Sequence, residues 1–408
     1  MNIAVAIAGL AFLILIHEAG HFVTALAVRM RPRRFYIFFP PALVKRTHNG
    51  IEYGIGAIPL GGYVKIPGMH RPAAEDLRHH LEPARAEAPS LAEAEKPVEQ
   101  ALAEERYEDA RAELAVLRAT VETKKLSERA HRAAERGLDD VDDALSPEAY
   151  WRAPTSKRVA VILAGPATNY LFAVLALAIV FMVGIPTGAT RVVEEVAADS
   201  PAAGMGLRPG DEILAVNGVP REWDEVSEAI RGSGGDPVTL TVERGGDELQ
   251  LEGTPLFDQE VEAYRLGFAF QSTSTSYGPL EAFGLAFEST WEVTKAIFAS
   301  LGRLVTGEGR EEVASVVGIT AVSSESLEEG FSYYLQVLAL VSLSLALLNL
   351  LPFLPLDGGH IAFSIAERVR GRAIPREAYE RASIVGIALV LFLFVIGLTN
   401  DINRLSGG

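Results

Sequence analysis

The chain has 408 residues, 49% of them hydrophobic, with 37 Lys and Arg against 53 Asp and Glu, a net charge of −16 and no cysteine. A mean hydropathy of +0.19 is high for a soluble protein and low for a chain made only of membrane helices, so membrane spans plus sizeable soluble parts are expected. The acidic balance speaks against a nucleic-acid partner. The missing thiols exclude disulfides and thiolate metal sites, so any metal must be held by histidine and carboxylate.

The first element is an apolar run, Ile3–Ile16, continued by His17-Glu18-Ala19-Gly20-His21 and then Phe22–Val28. Its length predicts a transmembrane helix over residues 1–29. Residues four apart on a helix are neighbours, so His17 and His21 share a face and form a ready pair of zinc ligands. Glu18 stands beside them, placed to take a proton from a water on the metal. Three ionisable groups inside a span are costly, and function is the reading that explains them. The opening Met1-Asn2-Ile3-Ala4 carries no positive charge, unlike a cleavable signal peptide. Arg29, Arg31, Arg33 and Arg34 follow the run, which places the N-terminus outside and residue 29 onward in the cytoplasm.

Residues 30–69 form the next region. Gly50–Pro67 alternates in part and contains Gly61-Gly62, which predicts a β-hairpin. Residues 70–158 are a charged helical insert rich in Ala, Glu and Arg. Within it Tyr107, Ala110, Leu114, Leu117 and Val121 follow a 3-4 spacing that suits a helical hairpin or short coiled coil, with a solvated charged helix as the simpler alternative. His79 and His80 are adjacent, cannot share a helix face and read as solvated. A second span over 159–183 follows Arg152, Lys157 and Arg158 and runs outward.

Residues 190–275 read as a soluble, β-rich domain on the outer side, with Gly turns through Ser200–Gly218 and an alternating strand at Val238–Arg244. From Leu280 to Val305 apolar residues recur at helical spacing within the segment 279–332. Either an amphipathic helix on the membrane surface or simple packing accounts for them. A third span over 333–360 follows Glu325, Glu328 and Glu329, and a fourth covers 381–400. The loop between them carries Arg368, Arg370, Arg372, Arg376 and Arg381, so it is expected in the cytoplasm and the C-terminus outside.

Two histidines leave zinc short of a third protein ligand. The third span ends Asn349-Leu-Leu-Pro352-Phe-Leu-Pro355-Leu-Asp357-Gly358-Gly359-His360. Apart from Glu18, Asp357 is the only acid in or at the end of an apolar span. The prolines break the helix there, the two glycines are expected to let the backbone turn, and a broken helix at membrane depth is tolerated where it lines a site. The first and third spans both run inward, so His17, His21 and Asp357 all approach the cytoplasmic side.

Taken together, His-Glu-x-x-His in the first span and Asn349-x-x-Pro352 with Leu356-Asp357-Gly358 in a later one resemble the site-2 proteases, intramembrane zinc metalloproteases. Pro59-Leu-Gly-Gly-Tyr-Val-Lys65 looks like their membrane-associated β-hairpin and Ala164-Gly-Pro-Ala-Thr-Asn169 like their second-span motif. The line Leu207-x-x-Gly-Asp-x-Ile-Leu-x-Val-Asn-Gly218 resembles a PDZ domain, and Leu266-Gly267-Phe268 the carboxylate-binding turn of a permuted bacterial version. A small barrel acting as a spacer is the alternative. One such domain and about four spans resemble the bacterial regulator-of-sigma-E branch. The fold expected is a polytopic α-helical membrane protein with an inserted PDZ-like β-rich domain and a membrane-associated β-hairpin. The stretch from 72 to 147 exceeds the common family pattern, and Ser315-Val-Val-Gly-Ile319 matches a family motif only loosely.

The resemblance implies Zn²⁺ on His17, His21 and Asp357, with Glu18 as general base. It also implies that Asn349 and Asn169 help hold the substrate strand. Gly61, Gly62 and Tyr63 of the hairpin are candidate substrate contacts, as are Leu266, Gly267 and Phe268 for a peptide end. The implied partners are the lipid bilayer and single-pass transmembrane proteins already trimmed by another protease, such as anti-sigma factors or remnant signal peptides. An ion transporter and a non-catalytic PDZ-bearing receptor are the rival classes. A transporter of this kind would carry an inverted repeat, and neither rival needs Glu18.

Overall fold

The computed structural model describes residues 2–259, 261–306, 309–310 and 313–405, without the side chains at 59, 60, 186, 187, 305 and 376. Part of the linker expected within 279–332, and the side chains of Pro59 and Leu60 in the hairpin motif, therefore lie outside the described residues. Two units are distinct, Met1–Leu177 with Ala286–Gly408, and Ala178–Leu285.

The first unit opens with helix α1 (Asn2–Ala27) and two long strands, β1 (Arg34–His48) and β2 (Ile51–Lys65). Each residue from Arg34 to Ile37 has two partners, one in Glu52–Ile55 and one in Gly62–Lys65, while 42–48 pairs with 51–56. Gly62–Lys65 is thus bonded along one side, and its other side has no strand partner among the described residues.

Four helices follow where a hairpin or a solvated helix is expected: α2 (Ala74–Glu87), α3 (Leu91–Ala103), α4 (Tyr107–Glu122) and α5 (Glu128–Leu145). Each carries apolar residues at 3-4 spacing, and Leu77, Leu81, Leu91, Val98, Leu114, Leu117, Leu138 and Val141 meet in one buried core. His79 is exposed, as expected, but His80 is half-buried with its Cβ against Gly137. The insert leaves and returns at one place. Backbone N–H groups of Tyr150 and Trp151 donate to the carbonyls of Pro67 and Gly68 at 2.9 and 3.0 Å. Gly68 has φ +62, and a Cβ there would meet Ala149 and Trp151, so the crossing needs glycine.

Helices α6 (Thr155–Val183), α11 (Phe331–Asn349) and α13 (Arg376–Leu405) join α1 as elements long and apolar enough to span a bilayer. The second unit holds β3 (Ile185–Val196), α7 (Pro201–Gly204), β4 (Glu212–Val216), β5 (Val219–Pro220), α8 (Trp223–Gly232), β6 (Val238–Arg244), β7 (Asp247–Gly253), β8 (Leu256–Asp258), β9 (Ala263–Arg265) and β10 (Phe268–Thr275). Its main sheet runs β10-β3-β4-β6-β7, with β5 on β4, and β8 pairs β9. Val193, Ile213, Val226, Leu240, Val242 and Leu266 fill its core. Both Asp211 oxygens take the Arg244 fork at 2.7 Å, which holds that carboxyl below its ordinary range. Helix α9 (Pro279–Thr306) covers the 280–305 periodicity, and α10 (Val316–Glu329) and α12 (Asp357–Arg370) complete the first unit.

The third span departs from its expected limits. Helix α11 stops at Asn349, and a new helix, α12, begins at Asp357 after the segment containing Pro352 and Pro355. Asp357 therefore opens a helix and does not end one. Gly358 and Gly359 lie inside that helix and make no turn. Their missing side chains admit the carbonyl of Leu350 and the backbone of Phe353 and Leu354.

Within the insert, Glu95 on α3 is 1% exposed, with one oxygen 3.3 Å from Arg85 and the other unpartnered among the described residues. Burial pushes its carboxyl up to about 7 against the pull of Arg85. The folded state thus binds this proton more tightly than the unfolded chain. Its contribution is complete below the unfolded value of 4.5 and is lost as pH rises through about 7. Thermal proteolysis between residues 72 and 147 should show the insert more stable at pH 5 than at pH 8. Glu95→Gln should flatten that dependence and raise stability at pH 8 by about 1 kcal/mol or more. An unchanged pH slope in the variant would refute the assignment.

Candidate active site

Helix α1 projects the two imidazoles from successive turns. The rings of His17 and His21 meet edge to face with centroids 4.9 Å apart, and their Nε2 atoms are 3.2 Å apart. Oδ2 of Asp357 lies 3.2 Å from each Nε2, so the three donors make an equilateral triangle. Both histidines are buried. The Nδ1 of His21 lies 2.8 Å from the Val161 carbonyl on α6. A carbonyl only accepts, so Nδ1 carries the proton and Nε2 keeps its lone pair for a metal. Among the described residues no other cluster of three His, Asp or Glu side chains comes together in this way.

Close helix packing holds the triangle. A Cβ at Gly20 would overlap the Ala164 carbonyl and Thr168 Oγ1, so α1 rests directly on α6. A Cβ at Gly165 would overlap the His21 imidazole at its Nε2 edge. Tyr334 on α11 donates to the Val5 carbonyl at 2.9 Å, and Leu13, Tyr334 and Leu338 form a small core between α1 and α11. Asp357 is brought in by the α12 side. Arg158 of α6, 7% exposed, bonds Glu367 of α12 at 2.8 Å. Gly386 of α13 meets the Leu354 carbonyl so closely that any side chain would overlap it. Asp357 also lies in the first turn of α12, where the helix dipole favours a carboxylate.

The other expected site residues fall at different places. Glu18 is half-buried, and its side chain lies against Gly62, where a Cβ would overlap Cγ of Glu18. Gly61 rests on the Phe39 ring, and Tyr63 pairs with Tyr36. Asn169 is fully buried, with both amide atoms unpartnered among the described residues, while its backbone carbonyl accepts from Ser342 Oγ at 2.9 Å. Asn349 donates from Nδ2 to Leu345 O of its own helix at 3.0 Å. Leu266, Gly267 and Phe268 belong to the second unit and take no part in this cluster. There Gly267 has φ +84 and sits where a Cβ would overlap Ser200. Sequence reasoning missed the supports: the Val161 carbonyl, Glu367, and Gly386. Arg158 counted only as a charge flanking a span, and its burial became visible only with the fold.

A model of peptidase family M50 matches residues 5–393. The chain belongs to this family. The M50 chain is 30% identical to the Regulator of sigma-E protease RseP of Salmonella typhimurium, over 99% of each protein. It is 28% identical to the Regulator of sigma-W protease RasP of Bacillus subtilis, over 96% of each. A protein of Agrobacterium fabrum whose name describes a zinc metalloprotease is 30% identical, over 98% of this chain and 94% of the relative. As a family M50 member it is a site-2 protease, a zinc metalloendopeptidase of regulated intramembrane proteolysis, and its apolar helices make it a multi-pass membrane protein.

The residues present fit zinc. Three corners of a tetrahedron with bonds of ~2.0–2.1 Å are roughly 3.3 Å apart, and the donor triangle here has edges of 3.2 Å. Two imidazoles and one carboxylate match a catalytic site that leaves its fourth position open. Gly165→Ala should therefore weaken zinc on the order of tenfold, about 1.4 kcal/mol, because the new methyl displaces His21. Chelator competition on purified protein checks this. Wild-type affinity in the variant would show that His21 does not hold the metal.

Proposed function

We propose that His17, His21 and Asp357 hold the zinc and that Glu18 is the general base of a protease that cuts single-pass membrane proteins within or near their spans. The observation that carries this reading is the donor triangle, with 3.2 Å between each pair of atoms. When bound, zinc supplies Lewis-acid chemistry, acidifying water and polarising a peptide carbonyl. Glu18 takes the proton of the attacking water and delivers it to the leaving amine.

A helical substrate has its carbonyls occupied by its own hydrogen bonds and must unwind before cleavage. The free edge of Gly62–Lys65 is suited to pair with the unwound strand, and Gly62 brings that edge against Glu18. Asn169 offers an amide N–H group and an oxygen acceptor that no protein group uses among the described residues, which fits a substrate backbone passing α6. Asn349 is a second candidate contact once its bond to Leu345 is exchanged.

Residues 190–275 form a PDZ-like domain in this reading, with Gly267 and Phe268 at a cavity of about 470 Å³ also lined by Ser200, Phe257 and Arg265. Leu266 is buried beneath that turn in the core of the unit. The basic residues flanking the spans support a topology with this domain outside the cell and the loops at 29–158 and 367–381 in the cytoplasm. The domain would then filter substrates by size or recognise a freshly made C-terminus. Salmonella RseP is named as a regulator of sigma-E and Bacillus RasP of sigma-W. A trimmed anti-sigma factor, or a remnant signal peptide, is the corresponding substrate class here.

Glu18→Gln should keep wild-type zinc and lose cleavage of a model single-span substrate by at least ~10²-fold. Cleavage near the wild-type rate would exclude the base role. Deleting residues 190–275 should leave zinc bound and extend cleavage to substrates with untrimmed ectodomains. Comparing trimmed and full-length forms of one substrate in membranes tests this, and unchanged discrimination would move the filter elsewhere.

A further inference from the structure

The four-helix insert meets the base of the hairpin through a short acidic stretch of α5, Asp139-Asp140-Val141-Asp142-Asp143. Asp139 and Asp142 face α4, pairing with Arg118 at 2.8 Å and Arg111 at 3.6 Å. Asp140 and Asp143, also three apart, face the hairpin. Asp140 bonds Lys65, and Asp143 accepts from Arg33 Nε at 2.7 Å and Nη2 at 2.6 Å. One helix thus grips its own bundle with one pair of carboxylates and the β-strands with the other.

Arg33 and Lys65 stand at the base of the sheet. The Arg33 N–H donates to the Lys65 carbonyl at 2.8 Å, and the Arg33 carbonyl accepts from Glu52 at 2.9 Å. Lys65 is three residues from Gly62, a distance of roughly 10 Å along an extended strand. Gly62 meets Glu18 without room for a methyl group, so a small displacement of this strand reaches the base directly. The Asp143 side chain is only 17% exposed, which makes its charge depend on Arg33.

We propose that the helical insert is a positioning element for the protease reaction, its Asp140–Lys65 and Asp143–Arg33 pairs fixing the Gly62–Lys65 strand against Glu18. This rests on the reading that the free edge of that strand takes the substrate. Exposed ion pairs contribute little when they join groups already held in place. Here they join a separately folded bundle to a strand with one free side, and the bundle's rigid core turns them into an anchor. Lys65, Asp140 and Asp143 act through the strand and touch no reacting atom.

The test uses the full-length protein in lipid nanodiscs with a synthetic single-span substrate. Lys65→Asp and Asp140→Lys each reverse one partner, the double variant exchanges them, and Asp140→Asn is the mild version. Amide exchange across 51–65, kcat, KM and zinc content are measured on every preparation. Each reversal should speed exchange in 62–65 and lower kcat/KM by about tenfold with zinc unchanged. Asp140→Asn should move both the same way by less. The double variant should return both to within about twofold of wild type, a rescue that general destabilisation would not give. Wild-type exchange and turnover in the reversals would overturn the proposal. So would altered exchange with unaltered turnover, or a double variant no better than the singles. The underlying reading is tested separately with Tyr63→Cys in an E18Q background, the chain having no other cysteine. Failure to cross-link bound substrate would remove the substrate strand from this edge, whereas cross-linking without any effect of the reversals would overturn the positioning role alone.

Discussion

Ionisable groups placed among apolar helices must satisfy one another, and the rest of this structure follows from that constraint. Two imidazoles and a carboxylate in isolation would each lose hydration worth several kcal/mol. Brought to a common point they share one another's fields and present a ready set of metal donors. Everything nearby serves to keep them there. Val161 fixes the His21 tautomer, and Tyr334 ties α11 to α1. The pair of buried Arg158 with half-buried Glu367 clamps the helix that begins with Asp357. That pair is itself costly to bury, and removing either partner would leave an unmatched charge beside the site.

Close approach is the second theme. Gly20, Gly62, Gly165 and Gly386 each meet a neighbour where a single methyl group would not fit. These contacts set the distances between α1, α6, the hairpin and the segment before α12 more tightly than apolar side chains could, since Leu and Val adapt their rotamers and a backbone cannot. The same logic makes Asn169 unusual. Its amide is buried with neither atom partnered among the described residues, an arrangement that protein interiors rarely carry.

The centre of the site was legible in the sequence because its signals are local. His17 and His21 stand one helical turn apart in an apolar run, and Asp357 is an isolated acid at the end of another. The supports were not legible because they exist only as packing. No pattern in the chain links Arg158 to Glu367, or Gly386 to Leu354. The insert escaped notice as a bundle because its core relies on alanine, with Ala84, Ala101, Ala110, Ala130 and Ala134 all buried. Alanine carries little weight in a periodicity count. Gly358-Gly359 shows the converse error. Glycine pairs read as turns, yet here they are helical and small for the sake of the backbone beside them.

The hydrogen bonds between Pro67–Gly68 and Tyr150–Trp151 close the insert at its root. The second unit is closed at its own root in a similar way, where Ile185 pairs with Thr275 at the ends of β3 and β10. In both cases the chain departs and comes back through neighbouring residues, so a whole folded body can be added to or removed from the lineage in one genetic event while the intervening membrane helices stay in register. A protease core of a few helices can in this way exchange its accessory parts like interchangeable heads on a common handle.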